Sequence, residues 1–195
     1  MMLTEVAPVP DGALPVQAMK DHLRLGTGFS DDGMQDALIA GYLRAALAAV
    51  EGRIGKALIA RRFSLTLVRW RDRAAQALPL APVGQVVSVT LVDGAGVAVA
   101  LAGSRWRLEV DMHRPRLVAS GSLLPEIAEG GRAEVVFDAG FGAWDAVPAD
   151  LRQAVLLLAA QYHELRHETA QAAMPFGVMA LIERWRTVRV LGGGV

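Results

Sequence analysis

The chain contains no cysteine among its 195 residues, which excludes disulfides, iron-sulfur clusters, thiolate zinc sites and cysteine nucleophiles. Any metal would have to be held by His, Asp and Glu. There is no excess of charge either, 20 basic residues standing against 20 acidic, so no global basic field draws nucleic acid to the surface. Lysine is nearly absent: Lys20 and Lys56 are the only two, and the other basic residues are arginine. No apolar stretch reaches the ~18 residues that a membrane span requires. The opening Met-Met-Leu-Thr-Glu-Val-Ala-Pro has an acid and no basic region before an apolar run, so it does not read as a secretory signal. A soluble protein, made and used in a cytoplasm without a membrane, is the expectation. No internal repeat and no low-complexity segment interrupts the chain.

What is present is a hydrophobic content of 53%, enough for a substantial core in one folded unit with an inserted lobe. Residues 1–14, with Pro8, Pro10 and Gly12, favour an extended arm over a packed element. A first helix is predicted from Pro15 through Met19 and Leu23. Ser30-Asp31-Asp32 can cap a second and longer one. Its apolar positions Leu38, Ile39, Tyr42, Leu43, Ala46, Leu47, Val50 and Ile54 recur every three or four residues, and Gly55 is its expected stop.

From Arg62 the period changes to two. Phe63, Leu65 and Leu67 alternate with polar residues, as do Val87, Val89 and Leu91, and further strand-like runs lie at 97–101, 105–110, 116–119 and 133–138. Glycines and prolines separate them. A third helix is opened by Pro148, Pro175 follows its end, and a short helix is predicted over 177–186. The fold expected is α+β: a bundle of about four helices (15–60 and 147–186) with an antiparallel β lobe of about six short strands inserted at 61–143. An extended tail over 187–195 finishes the chain.

The third helix carries His163-Glu164-Leu165-Arg166-His167, a His-Glu-x-x-His string. In a zinc peptidase two such histidines bind the metal through neutral imidazoles and the glutamate activates the bound water. Leu151, Val155, Leu158, Tyr162 and Leu165 form one stripe of this helix, with His163 and His167 roughly 120–160° away on a shared face. A catalytic site needs a third ligand, and Glu183, on a short helix beyond Pro175, is the one downstream candidate. Neither an Asn-Glu-x-x-x-Asp pattern nor a His-x-x-Gly-x-x-His extension follows. The alternative is that His163 to Glu168 are the polar end of a helix whose first half is buried.

Other chemistry is thinner. Gly140-Phe141-Gly142 and Gly192-Gly193-Gly194 lack the Lys-Ser/Thr pair of a phosphate loop. Asp31, Asp32, Asp36 and Glu51 read as a solvated helix face, and His22 and His113 are isolated. Arg61-Arg62 and Arg69-Trp70-Arg71-Asp72-Arg73 make a local basic patch, better suited to a strand edge or subunit contact than to a phosphate backbone.

A series of strings in a fixed order carries more information than any of these alone. Lys20-Asp21-His22-Leu23-Arg24 is followed by an acid pair and a helix ending in Val50-Glu51-Gly52-Arg53-Ile54-Gly55-Lys56-Ala57-Leu58, then by the strand pattern and Pro82-Val83-Gly84-Gln85-Val86-Val87-Ser88-Val89. Val135-Val136-Phe137-Asp138-Ala139-Gly140-Phe141-Gly142 precedes a Val147-Pro148 helix start with Ala154 to Leu158 at its centre and Gln161 to Glu168 at its end. Pro175-Phe176-Gly177-Val178 through Arg186 closes the order. Over residues 15–190 this resembles the head-to-tail connector or adaptor proteins of tailed phages and of phage-derived gene transfer agents. The chain departs from that pattern at His163, where the family has Tyr, and at His167; together these two create the metallopeptidase look-alike.

The resemblance implies a structural protein without catalysis or cofactor: a ring, usually of about twelve copies, under the portal vertex of a virion or phage-like particle. Such a ring extends the channel for DNA ejection, which double-stranded DNA crosses transiently and without specificity, and offers a platform to the next neck or tail-completion (stopper) protein. Leu151, Val155, Leu156, Leu158 and Tyr162 are the candidate subunit-packing residues, because a helix apolar on every side needs cover on every side. Thr187, Val188, Arg189, Val190 and Leu191 alternate as a strand or hook would and are the candidate contact to the portal. Balanced charge suits a channel component, since a strongly basic lumen would retain DNA. A different neck or tail-completion protein of similar size is the remaining alternative.

Overall fold

Phe63, Leu65 and Leu67 point one way along a strand and Arg62, Ser64 and Thr66 the other, and this alternation organises the middle of the chain. In the computed structural model, which describes residues 1–24, 35–165 and 174–186, the chain divides into two compact units: residues 1–9 with 56–143, and residues 10–55 with 144–195.

The first unit holds eight strands: β1 (Met2–Glu5), β2 (Arg61–Leu67), β3 (Ala75–Ala77), β4 (Val83–Val92), β5 (Ala98–Ala100), β6 (Trp106–Glu109), β7 (Arg116–Ala119) and β8 (Arg132–Ala139). They form a five-stranded sheet in the order β1-β2-β8-β4-β5 and a three-stranded sheet β3-β7-β6, antiparallel throughout. Six of the eight match the strand-like runs of the sequence; β1 and β3 are additional. Residues 2–5 are therefore a strand of the sheet, paired along β2 from Met2 opposite Thr66 to Glu5 opposite Phe63, and not an arm apart from it. An extended segment beside an open strand edge gains ladder hydrogen bonds by joining.

The core of this unit is made by the inward residues of both sheets. Phe63, Leu65, Val89, Val135 and Phe137 come from the larger sheet and Leu117 from the smaller, with Trp70, Leu78 and Leu124 from the connections. Phe63 and Phe137, direct partners in the ladder, stack with centroids 5.9 Å apart. Burial of each such large side chain contributes about 1.5–3 kcal/mol. Lys56 is also fully enclosed here. Its Nζ donates to the carbonyl of Met112 and lies 3.2 Å from Nδ1 of His113. Burial lowers the Lys56 pKa and the nearby Asp111 carboxylate opposes that shift.

Gly140 explains the Ala-Gly-Phe-Gly string. As β8 ends, Phe141 N–H donates to Leu58 O at 3.0 Å and Ala60 N–H donates to Gly142 O at 2.8 Å, drawing the strand end onto the chain at Leu58–Ala60. Gly140 has φ +131°, and a Cβ there would stand 2.5 Å from the Cα of Ala60. Only glycine fits such an approach.

The second unit is helical: α1 (Val16–His22), α2 (Asp36–Ile54), α3 (Ala149–Glu164) and α4 (Phe176–Ile182), the last followed by a 3-10 turn at Glu183–Trp185. The expected Ser30 cap of α2 lies outside the described residues. Gly55 ends α2 in the left-handed conformation (φ 67°) with its N–H on Glu51 O, as the sequence predicts. Helix α3 packs against α1, α2 and α4. Ile39, Leu43, Ala46, Leu47, Val50 and Ile54 of α2 are buried, as are Leu151, Ala154, Val155, Leu158 and Ala159 of α3, and Val178 and Ile182 of α4. Among the described residues no helix is long and apolar enough to cross a membrane.

Replacing Gly140 with alanine should destabilise the protein by about 3 kcal/mol, because the added carbon meets backbone that cannot step aside. Urea unfolding of Gly140→Ala beside the control Gly84→Ala, whose added carbon would lie at an ordinary contact distance of 4.0 Å from Asp138 O, checks this, the control being expected to lie within about 1 kcal/mol of the parent.

Candidate assembly surfaces

The helices were expected to carry either a metal site or packing surfaces, and the structure sorts their residues between buried and free. On α3, Leu151 and Val155 are fully buried and Leu158 nearly so. These three serve the chain's own core and leave nothing for a neighbouring subunit to touch, which corrects their assignment to subunit packing. One face of α3 is consumed by the other helices, so only part of its apolar circumference needs cover from outside. Leu156, Leu157, Ala160 and Tyr162 remain half-buried and can take part in a contact.

The His-Glu-x-x-His string does not assemble into a metal centre among the described residues. His163 is half-buried and set edge-on to Tyr42 of α2, with ring centroids 5.9 Å apart and planes at 87°. Glu183, the candidate third ligand, is exposed and accepts hydrogen bonds from Arg186 Nη1 with both carboxylate oxygens, at 2.9 and 3.0 Å. His167 lies outside the described residues. No group of three or more His, Asp or Glu side chains is placed to hold a metal ion among the described residues.

Asp150 secures the end of the helical unit. It sits in the first turn of α3, where a carboxylate suits the helix dipole. Its Oδ2 accepts a hydrogen bond from Trp185 Nε1 at 2.7 Å and pairs with Arg184 Nε at 2.8 Å. The turn after α4 is thereby fastened to the start of α3. The candidate portal contact, Thr187, Val188, Arg189, Val190 and Leu191, lies outside the described residues.

Two apolar features face outward on the same unit. Phe176, the first residue of α4, is 89% exposed. The outer side of α2 presents Ala37, Gly41, Ala45, Ala48 and Gly52, all exposed, together with Leu38. The sequence held a signal for that face: between Asp36 and Glu51 the helix has one charged residue, Arg44, so the side opposite the leucine stripe is apolar too.

On the β unit the outer face of the large sheet is polar. Asp138 accepts two hydrogen bonds from Arg62, at 2.8 and 3.0 Å, and one from Gln85 at 2.6 Å, tying β2, β8 and β4 together. The Arg62 hydrogen bond holds the Asp138 carboxyl below its ordinary pKa, against partial burial and with help from Gln85. The expected basic patch is divided: Arg73 Nε donates to Leu124 O, and Trp70 is buried with its Nε1 on Pro125 O. Val99 in the edge strand β5 and Val97 just before it are about 60% exposed.

Among the solved structures similar to the chain are three that each cover it to 99%, with 99% of their own chain matched. One is the neck of an empty gene transfer agent particle computed with C6 symmetry, 62% identical with a TM-score of 0.91. Another is the virion of a native gene transfer agent particle, 62% identical with a TM-score of 0.88. The third is the neck of a native particle computed with C12 symmetry, 58% identical with a TM-score of 0.86. No family model matches the chain, and no curated protein matches it. An α+β architecture of helices with an inserted antiparallel lobe, shared end to end at such identity, defines one class of particle component. The chain belongs to the neck connector, or adaptor, family of gene transfer agents.

Two measurements follow. Asp138 has a lowered folded-state pKa, so its stabilising effect is present above the unfolded carboxylate value near ~3.9 and is lost as pH falls through the folded value. The urea midpoint of the parent should accordingly fall more steeply below about pH 4 than that of Asp138→Asn, and parallel curves would contradict the assignment. Purified protein should also contain no stoichiometric zinc by elemental analysis, and chelator should leave its unfolding midpoint unmoved.

Proposed function

We propose that this chain is a structural head-to-tail connector of a gene transfer agent or a related tailed particle. Copies form a ring under the portal, extend the DNA channel and join the head to the next neck protein. Full-length similarity to chains of gene transfer agent necks, at 58–62% identity, is the observation that carries this reading. C6 and C12 symmetry in the computation of those necks supports a cyclic assembly, and we take twelve copies as the working number. The role requires no cofactor and no catalysis. An engaged His163, a Glu183 tied to Arg186 and an apolar outer helix face all favour assembly over chemistry.

Within this role Thr187 to Leu191 are the portal contact, because apolar and polar residues alternate there as they do in segments that add to a partner's strand. Double-stranded DNA passes the ring without being held, in keeping with 20 basic and 20 acidic residues. The helical and β segments act as one functional subunit.

Electron microscopy of particles made without the protein should show filled heads lacking tails. Deletion of residues 187–195 should leave the unfolding midpoint unchanged and abolish binding to the portal. Unimpaired portal binding by the truncated chain would overturn the role of the tail, and normally tailed particles without the protein would overturn the connector reading.

A further inference from the structure

A closed ring of identical chains is made of heterologous contacts, in which one patch of a copy meets a different patch of the next. Each chain must therefore carry two complementary surfaces. The helical unit offers a projecting one in Phe176, 89% exposed at the start of α4. It also offers a receiving one. At the N-terminal end of the outer face of α2 lies a groove of about 560 Å³, lined by the small and apolar Val16, Ala37, Ala40 and Gly41 together with the charged Asp11, Asp36 and Arg44.

The makeup of α2 is hard to explain by the chain's own packing. Gly41 lies mid-helix, where glycine costs roughly 1 kcal/mol relative to alanine. A Cβ at Gly41 or at Gly52 would meet nothing within 4 Å. Among the described residues neither glycine serves a contact inside this chain, whereas a partner approaching the helix backbone closely would require one. Arg44, paired with Asp11, stands beside the groove, where a guanidinium can cover the face of an incoming aromatic ring. Aromatic anchors seated in small pockets are where interface energy concentrates.

We infer that Phe176 of one subunit seats in the α2 groove of the next, against Ala37, Ala40 and Gly41, and that this contact links copies around the ring. The inference rests on the connector reading and on the cyclic symmetry used for the similar necks. The occupant is a second copy of this chain, and the half-buried Leu156 and Leu157 of α3 are available to widen the same interface.

Absence of cysteine makes the test direct. A chain carrying both Phe176→Cys and Gly41→Cys is incorporated into particles, oxidised, and resolved by electrophoresis without reducing agent. A ladder of dimers and higher multimers that neither single variant gives supports the seating. A double variant that is present in the neck and stays monomeric overturns it, as does cross-linking of the Gly41→Cys chain to a different particle protein. Should the cysteine pair itself block incorporation, Phe176→Ala and Gly41→Leu decide. Both positions are open among the described residues, so Phe176→Ala should keep the parent's unfolding midpoint and Gly41→Leu should match or raise it, while the occupancy of each in particles falls about tenfold or more. Normal incorporation of Phe176→Ala overturns the proposal. Parent protein missing from the necks of purified particles would overturn the connector reading itself, whereas a silent cysteine pair in a filled neck overturns only the seating.

Discussion

The central strand β8 is the constraint on which the β unit depends. It lies at the centre of the large sheet and is paired nearly from end to end on both sides, to β2 and to β4. Ala133, Val135, Phe137 and Ala139 project from it into the core, and Asp138 gathers Arg62 and Gln85 on the opposite face. A one-residue slip would exchange these two sets and place the aspartate among the apolar residues. The close passage of Gly140 over Ala60 ends the strand at a fixed point. Register, core and termination therefore agree, which is the mark of a sequence that specifies one arrangement.

The helical unit divides its residues differently. Its inner faces are ordinary core, whereas the outer side of α2 is too apolar for a solvated helix and too shallow to be finished by its own side chains. Small residues at positions 37, 41, 45, 48 and 52 keep the helix backbone approachable. A surface of this kind suits a protein that completes its burial in an assembly. The absence of an assembled metal centre among the described residues fits the same division, since His163 is placed against Tyr42 within the bundle.

Much of the fold was legible from periodicity. Four helices and six strands follow from three- and four-residue or two-residue spacing and from glycine and proline punctuation. The two additional strands had no such signal. β3 is Ala-Gln-Ala, and its buried Gln76 is satisfied by Arg71 N–H and by the Ala77 carbonyl instead of by apolar contacts. β1 has one half-buried apolar residue, Leu3, and exists by pairing with a strand some sixty residues away, which local pattern cannot encode. The candidate sites were legible in part. Spacing alone placed two histidines on one helix face, but only packing shows that His163 meets Tyr42. The stripe Leu151, Val155 and Leu158 was visible as apolar, while its use inside the chain depended on where α1, α2 and α4 lie. Phe176 had no periodic signature at all, and its exposure is a fact of three dimensions.

The grip of Asp150 on Trp185 and Arg184 bears on how a joint of many copies is made. The chain beyond Arg186 starts from a root fixed at the head of α3. Contacts carried on a shared scaffold by short links meet their targets at an effective concentration on the order of millimolar. In a ring, one such root per copy lies on a common circle. On the proposed portal contact, docking by one copy makes docking by the others intramolecular, so a firm joint can be built from contacts each too weak to hold alone.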